Sequence, residues 1–351
     1  MTIIVAGAAG FIGSNFVLNW VKNKSIPIIG VDSLTYAGNI KNLDSLLSNE
    51  KFIFAQGDIN DSDFIKKLFD EFCPSSIINF AAESHVDRSI LDSSNFIKTN
   101  INGTYNLLEC SLQYWNKLNE NEKNKFRYLH ISTDEVYGSL EANDPEFTEL
   151  SIYKPNSPYS ASKAASDYLV RAWHHTYKLP VLTSNCSNNY GPYQFPEKLI
   201  PLIIYNAINN NDLPIYGDGS NIRDWLYVED HCSAIRHILD KGKPGETYNV
   251  GGNNEKTNLE VVNHICKILD DMIPKKNGDS YSNQIKFIED RKGHDYRYAI
   301  NSFKLRSELG WSPKEDFESG IYKTVKWYID NQEWIKNVIS GEYMKWVKEN
   351  Y

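Results

Sequence analysis

Short apolar runs alternate with longer amphipathic stretches through the first half of the chain. The runs lie at residues 3–6, 28–31, 52–55, 77–81 and 128–131. Between them apolar positions fall at helical spacing, for example over 64–72 and 96–115. Crossovers of helix length predict parallel strands covered on both faces, and so a doubly wound parallel α/β sheet. Beyond about residue 180 the order loosens, and Asn, Pro and Tyr become frequent over 187–196 and 209–218. Short strand-like runs at 248–250 and 285–288 then alternate with helical ones at 259–269 and 320–331. This predicts a smaller α/β lobe fed by several segments. Residues 121–125 and 274–282 are polar and read as exposed loops.

Composition narrows the class. A chain of 351 residues exceeds the usual limit of about 250–300 for one core, which fits a large domain with a smaller lobe. The net charge of −8 argues against a nucleic-acid partner. It leaves room for a dinucleotide or nucleotide-sugar, whose phosphates local amides and a few basic side chains can hold. Cys73, Cys110, Cys186, Cys232 and Cys266 are odd in number and form no CxxC pair, so reduced thiols in a cytoplasmic protein are expected. No apolar run reaches the ~18 residues of a membrane helix, and residues 1–6 lack the basic start of a signal peptide. No metal site is expected.

Gly7, Gly10 and Gly13 form G-x-x-G-x-x-G directly after the first predicted strand, and Phe11, Ile12, Phe16 and Val17 open a helix. Glycines let the backbone turn tightly and approach a pyrophosphate seated on the helix N-terminus. Asp32 ends the second strand, where a carboxylate accepts hydrogen bonds from an adenosine ribose and repels a 2′-phosphate. That favours NAD over NADP. Asp58 follows the third strand and fits either an adenine contact or the N-cap of the next helix.

Tyr159 and Lys163 stand four residues apart in Ser-Pro-Tyr-Ser-Ala-Ser-Lys, on one face of a predicted helix with Pro158 near its start. An ammonium and a nicotinamide cation beside the phenol would favour phenolate, a base near neutral pH. The same spacing also suits a helix with no special role. Ser132-Thr133-Asp134-Glu135 leaves the fifth strand at its carboxyl end, where ligands bind in such sheets. Thr133 can orient a substrate hydroxyl, and Asp134 and Glu135 can act as acid and base at neighbouring carbons. A plain polar turn is the other reading.

With these motifs the chain resembles the extended short-chain dehydrogenases, which have a Rossmann sheet and a C-terminal substrate lobe. Among them it is most similar to the dTDP-glucose 4,6-dehydratases, which carry Thr-Asp-Glu where 4-epimerases lack the acid pair and related dehydratases and decarboxylases read Thr-Ser-Glu. Asp134 is the discriminating residue. The likeness extends through Asp32-Ser33-Leu34-Thr35-Tyr36-Ala37-Gly38-Asn39 and Ala81-Ala82-Glu83-Ser84-His85-Val86-Asp87-Arg88. It continues in Asn188-Asn189-Tyr190-Gly191-Pro192, Phe195-Pro196-Glu197-Lys198, Arg223-Asp224-Trp225 and Gly293-His294-Asp295.

The resemblance implies oxidation at C4 by NAD with Tyr159 taking the proton, elimination of water by Glu135 and Asp134, and hydride return to C6. Residues 1–180 would form the NAD domain, with later segments returning to it, and 181–351 mainly the nucleotide-sugar lobe. Cofactor contacts are implied at Gly7, Gly10, Phe11, Ile12, Gly13, Asp32, Leu34, Thr35, Asp58, Ile59, Phe80, Ala81, Ala82, Ser84, Thr99, Tyr159, Lys163 and Asn189. Substrate contacts are implied at Ser84, Thr133, Asn188, Lys198, Leu199, Pro201, Pro214, Tyr216, Arg223, Asn258, Arg291 and His294. Arg223 suits a diphosphate, though a salt bridge with Asp224 is an alternative, and His294 fits a loop histidine equally well. Cys186 and His231 read as structural. A homodimer acting on dTDP-glucose, in dTDP-rhamnose synthesis, is the family expectation. UDP-glucose as substrate, 4-epimerase activity and a silent NAD-binding regulator are the competing readings. Lys292 replaces the proline usual in the family, and the segment between Gly138 and Ser157 is shorter than in some relatives.

Overall fold

The computed structural model describes residues 2–339; Met1 and the last residues of the expected second lobe, 340–351, lie outside the described residues. Strands β1 (Thr2–Ala6), β2 (Ile28–Asp32), β3 (Phe52–Gln56), β4 (Pro74–Asn79), β5 (Arg127–Thr133) and β6 (Val181–Cys186) come first. Strands β7 (Asn188–Tyr190), β8 (Leu213–Tyr216), β9 (Ile222–Tyr227) and β10 (Thr247–Val250) follow. The last are β11 (Glu255–Thr257), β12 (Ile285–Ile288) and β13 (Arg297–Tyr298).

Seven strands form one parallel sheet in the order β3-β2-β1-β4-β5-β6-β10. Both faces are covered, which explains the continuous apolar runs. On one face Ile3, Val5, Ile28 and Leu129 pack with Phe16 and Trp20, and with Ile235 and Leu305 from much later in the chain. On the other, Ile4, Ile29, Ile77 and Tyr128 pack with Phe69, Leu107 and Val170. β1 lies between β2 and β4, so the strand order reverses there. A crevice opens at such a reversal, outside the carboxyl ends of the strands. The second lobe hangs over that crevice. Its β9 pairs with β7, β11 and β13, and β8 with β12. Its core joins Ile203, Trp225, Val261, Ile265 and Phe317.

Four local expectations need correction. Thr247–Val250, which the sequence pattern assigns to the second lobe, is the seventh strand of the large sheet, parallel to β6. A three-residue run, Tyr248-Asn249-Val250, carries no information about its partner. Residues 121–125 are not a loop: Glu120–Lys125 is a helix with a capping box between Asn119 and Glu122. None of its residues is buried, so caps and charge pairs replace the apolar stripe. The helix expected over 96–115 contains a π-helical stretch, Ile97–Gly103, before Thr104–Lys117. There buried Asn100 bonds the Glu83 backbone and Ser162. The strand expected at 77–81 ends at Asn79, leaving Phe80 and Ala81 on the crevice wall.

Among the described residues no helix is long and apolar enough to cross a membrane.

Candidate active site

The glycine loop between β1 and the helix Phe11–Asn23 floors the crevice. Gly7 has φ +78°, and a Cβ there would stand 2.6 Å from the Ala81 nitrogen. Gly13 packs directly on the Gly7 carbonyl. Backbone this close to the surface, at a helix N-terminus, fits a pyrophosphate. Asp32 accepts the Ala9 amide at 2.9 Å and the Leu34 amide at 2.8 Å, which fixes its carboxylate at the end of β2. These groups border a cleft of about 540 Å³, with Thr35, Asp58, Ile59, Ala81 and Thr99 on its walls. Asp58 accepts the Asn60 amide at 2.9 Å, while the N-cap of the next helix is Asp61. The capping alternative for Asp58 therefore falls.

A second cavity of about 240 Å³ shares Gly7, Gly10, Phe80 and Ala82 with the first and holds Phe11, Ile12, Gly13, Ser84, Thr133, Asp134, Glu135, Tyr159, Lys163 and Asn189. β5 ends at Thr133, and the next turn presents both carboxyl groups. Ser157 caps the helix Pro158–Tyr177, with Pro158 at its start, and so sets Tyr159 and Lys163 one turn apart. Lys163 donates to the Ile131 carbonyl at 2.8 Å.

The two acids differ in surroundings. Asp134 is 1% exposed, and its Oδ2 has no partner. Burial first, then Glu135 and Asp224, hold its carboxyl well above the usual range, against Arg223 and the Thr133 hydroxyl. Burial also raises Glu135, but Arg291, Lys198 and Arg223 all oppose. Tyr159 is pushed well up by burial, then by Glu135, Cys186 and Asp134, with Thr133 opposing. The chain's own charges thus do not produce the expected phenolate, because the lysine is turned to a strand carbonyl and two acids lie nearby.

A third cavity of about 160 Å³ shares Glu135, Asn188, Asn189 and Lys198 with the second and extends to Leu199, Pro214, Tyr216, Arg223, Asn258, Arg291 and His294. Arg223 is buried and donates to the carbonyls of Ile222 at 2.7 Å and Asp295 at 3.0 Å. Its guanidinium lies 4.4 Å from the Tyr298 ring centre. Asp224 instead accepts the amides of Gly252 and Asn254, because neighbours on a strand face opposite sides, so the salt-bridge alternative falls. His294 bonds Asp290 at 2.6 Å and is lowered to about 4 by burial, then by Arg291 and Arg223. Of the residues named from sequence, Leu34 and Pro201 line none of these cavities. Cys186 and His231 are buried, and His231 Nδ1 lies 2.9 Å from the Asn189 amide oxygen.

Several lining residues carried no signal on their own in the sequence. Arg88 stacks 4.0 Å from the Tyr36 ring centre and meets Glu197 at 3.2 Å, joining the crevice wall to the second lobe. Burial raises Glu197 to about 7. Asp87 takes Tyr216 and Arg291, both at 3.4 Å. These residues lie inside the strings that carry the resemblance, but only the fold brings 88 to 197 and 87 to 291.

A parallel Rossmann sheet, a substrate lobe over its carboxyl ends, and a Tyr–Lys pair facing a Thr–Asp–Glu turn define an extended short-chain dehydrogenase. Residues 4–324 match the model of the GDP-mannose 4,6 dehydratase family. The chain is 54% identical over 359 aligned positions to the dTDP-glucose 4,6-dehydratase of Salmonella typhimurium, covering 100% of this chain and 99% of that protein. It superposes with a TM-score of 0.85 and 45% identity on the dTDP-glucose 4,6-dehydratase of Bacillus anthracis in complex with NAD, covering 97% and 100% of the two chains. The enzyme of the same name from Streptomyces venezuelae, also with NAD bound, gives 0.88 at 41% identity over 97% and 100%. The chain belongs to the nucleotide-sugar 4,6-dehydratase family, in its dTDP-glucose branch.

Proposed function

We propose that this chain is an NAD-dependent dTDP-glucose 4,6-dehydratase, a hydro-lyase that gives dTDP-4-keto-6-deoxy-glucose. The observation that carries the reading is the Asp134–Glu135 pair in one cavity with Tyr159. Oxidation alone needs neither carboxyl group, whereas elimination needs an acid and a base together. NAD fits the glycine floor and Asp32; when bound it accepts the hydride from C4, returns it to C6, and brings the positive ring charge that lowers the proton affinity of Tyr159.

Tyr159 takes the C4 hydroxyl proton, with Thr133 orienting that hydroxyl. Lys163 adds positive charge behind the phenol. The ketone at C4 makes the C5 proton acidic, and Glu135, kept nearer the charged form by Arg291, Lys198 and Arg223, removes it. Asp134, which holds its proton, gives it to the departing C6 hydroxyl, and as hydride returns to C6 Glu135 gives its proton back to C5. Arg223 and Arg291 suit the diphosphate, and Asn188, Lys198, Tyr216, Asn258 and His294 the rest of the nucleotide. Asp32 and Asp58 suit the adenosine half of the cofactor, and Asn189, held by His231, the nicotinamide half. Residues 1–180, with the later β6 and β10 and the segments packed on the large sheet, serve the cofactor, and the remainder mainly the nucleotide-sugar.

A homodimer is part of the same reading. Leu91, Ile97, Tyr105 and Tyr168 expose apolar side chains on the catalytic helix and the segments packed on it. A cytoplasmic location, consistent with five free cysteines, and a place in dTDP-rhamnose synthesis complete it.

The test is incubation with dTDP-glucose and, in parallel, UDP-glucose. A product lighter by one water, formed faster from the thymidine nucleotide, is expected. An unchanged mass with inverted C4 would make the enzyme an epimerase, and no reaction a silent binder.

A further inference from the structure

One turn beyond Lys163 on the catalytic helix stands Asp167, a carboxylate 5% exposed with no role in the reaction above. Three side chains surround it. Its Oδ2 accepts the hydroxyl of Ser132, the residue before Thr133, at 2.8 Å. The same oxygen accepts the hydroxyl of Tyr153, from the connection between residues 138 and 157, at 3.0 Å. The Tyr153 oxygen in turn accepts the Asn185 amide of β6 at 3.0 Å. Oδ1 lies 3.3 Å from His130 Nε2 on β5.

His130 is fully buried and is driven down to about 4, first by burial and then by Lys163, so it is neutral. Its Nε2 is 3.5 Å from Lys163 Nζ and 3.3 Å from Ser166 Oγ. Ser166 gives its own proton to the Lys163 carbonyl at 2.8 Å. The neutral imidazole thus lies between the Asp167 carboxylate, 3.3 Å away, and the Lys163 ammonium, 3.5 Å away. Asp134, Glu135 and Tyr159 share the Lys163 cavity; the titratable groups that act on Lys163 itself are His130 on β5, Cys186 on β6 and Asp167 on its own helix. His130 is neutral, and burial holds the Cys186 thiol and the Tyr159 phenol protonated. Asp167 is the negative charge among them, and an ammonium buried this deeply needs one.

The geometry points to Asp167 as a positioning residue for Lys163: its carboxylate, clamped by Ser132 and Tyr153, orients His130 and balances the lysine charge behind the Tyr159–Lys163 pair. The kinetic half of its test rests on the dehydratase reading; the stability half does not. In Asp167→Asn the alkaline limb of the kcat–pH profile, where Lys163 loses its proton, moves down by about one unit or more. KM for dTDP-glucose stays unchanged. A purely structural role would lower kcat without moving the limb.

Because an unbalanced buried ammonium can prevent folding of D167N, melting temperatures are compared in a Lys163→Met background as well. There D167N costs much less than in the parent, and if D167N alone does not fold, K163M/D167N does. A limb that superimposes on the parent's, melting losses that simply add, or a double variant that fails to fold overturns the inference. The melting comparison needs no substrate, so it stands whatever dTDP-glucose does.

Discussion

Asp134 and Glu135 are neighbours in the chain, yet their surroundings separate them. Asp134 has an oxygen without a partner and two acids nearby, whereas Glu135 faces three cations. Asp134→Asn and Glu135→Gln should therefore still let dTDP-glucose reduce the bound cofactor, read at 340 nm. Water loss should slow by about 10²–10⁴. Loss of cofactor reduction with elimination intact would exchange the roles. Asp134 also carries a stability consequence. Its carboxyl lies higher folded than unfolded, so its contribution is full below the unfolded value near 3.8 and fades as pH rises toward the folded one. D134N removes that loss. Its melting temperature should exceed the parent's at pH 8 and the gap should shrink by pH 4, the usual trade of stability for function. At the other end of the crevice Asp32 borders the cleft proposed for the adenosine ribose, where an added 2′-phosphate would meet its carboxylate. NAD should bind the stripped protein at least about tenfold more tightly than NADP, by calorimetry, and equal affinities would remove Asp32 from the specificity argument.

Element by element, the site depends on where each unit stops. β5 must end at Thr133 for both acids to turn into the crevice, and the catalytic helix must begin at Pro158 for Tyr159 to reach them. The stop is built from Ser157, whose hydroxyl accepts the Ser160 amide at 3.0 Å while Ser160 bonds back. Ser157→Ala should cost about 1 kcal/mol, seen as a fall of about 2 °C in melting temperature. Since Tyr159 lies in that first turn, kcat should fall with little change in KM; a larger effect on KM would mean that the cap serves substrate binding instead. Sequence patterns gave β1 to β5 within a few residues, because apolar runs buried on both faces leave no other choice; β6, with Thr183, Ser184 and Asn185 in it, carries no such run and was not foreseen. The helix Glu120–Lys125 was missed because it buries nothing, and the π-helical stretch because it keeps helical spacing while adding one residue to the turn.

For the whole molecule, three cavities with shared walls form one crevice, into which the proposed reading puts cofactor, reacting carbons and nucleotide. Release of reduced cofactor midway would strand a reactive enone, so hydride should stay within one turnover. Substrate deuterated at C4 should give product labelled at C6. Mixed with carbon-13 substrate, it should give no doubly labelled product by mass spectrometry; extensive crossover would point to an ordinary dehydrogenase. The exposed face of Leu91, Ile97, Tyr105 and Tyr168 should join two copies, so the parent should sediment as a dimer and Tyr168→Glu as a monomer; an unchanged dimer would place the interface elsewhere, and a monomeric parent would remove it. The sequence alone determined the first five strands of the sheet, the glycine floor, the end of β2 at Asp32 and the Thr133–Asp134–Glu135 and Tyr159–Lys163 motifs. Each is written in adjacent or helically spaced residues, where local geometry leaves one arrangement. Tertiary structure decided the partners. That Asp87 holds Arg291, Arg88 meets Glu197, Thr247–Val250 closes the large sheet and Asp167 reaches Lys163 through His130 depends on the packing of distant segments. Burial and charge from those segments, rather than residue type, set the protonation of the two acids.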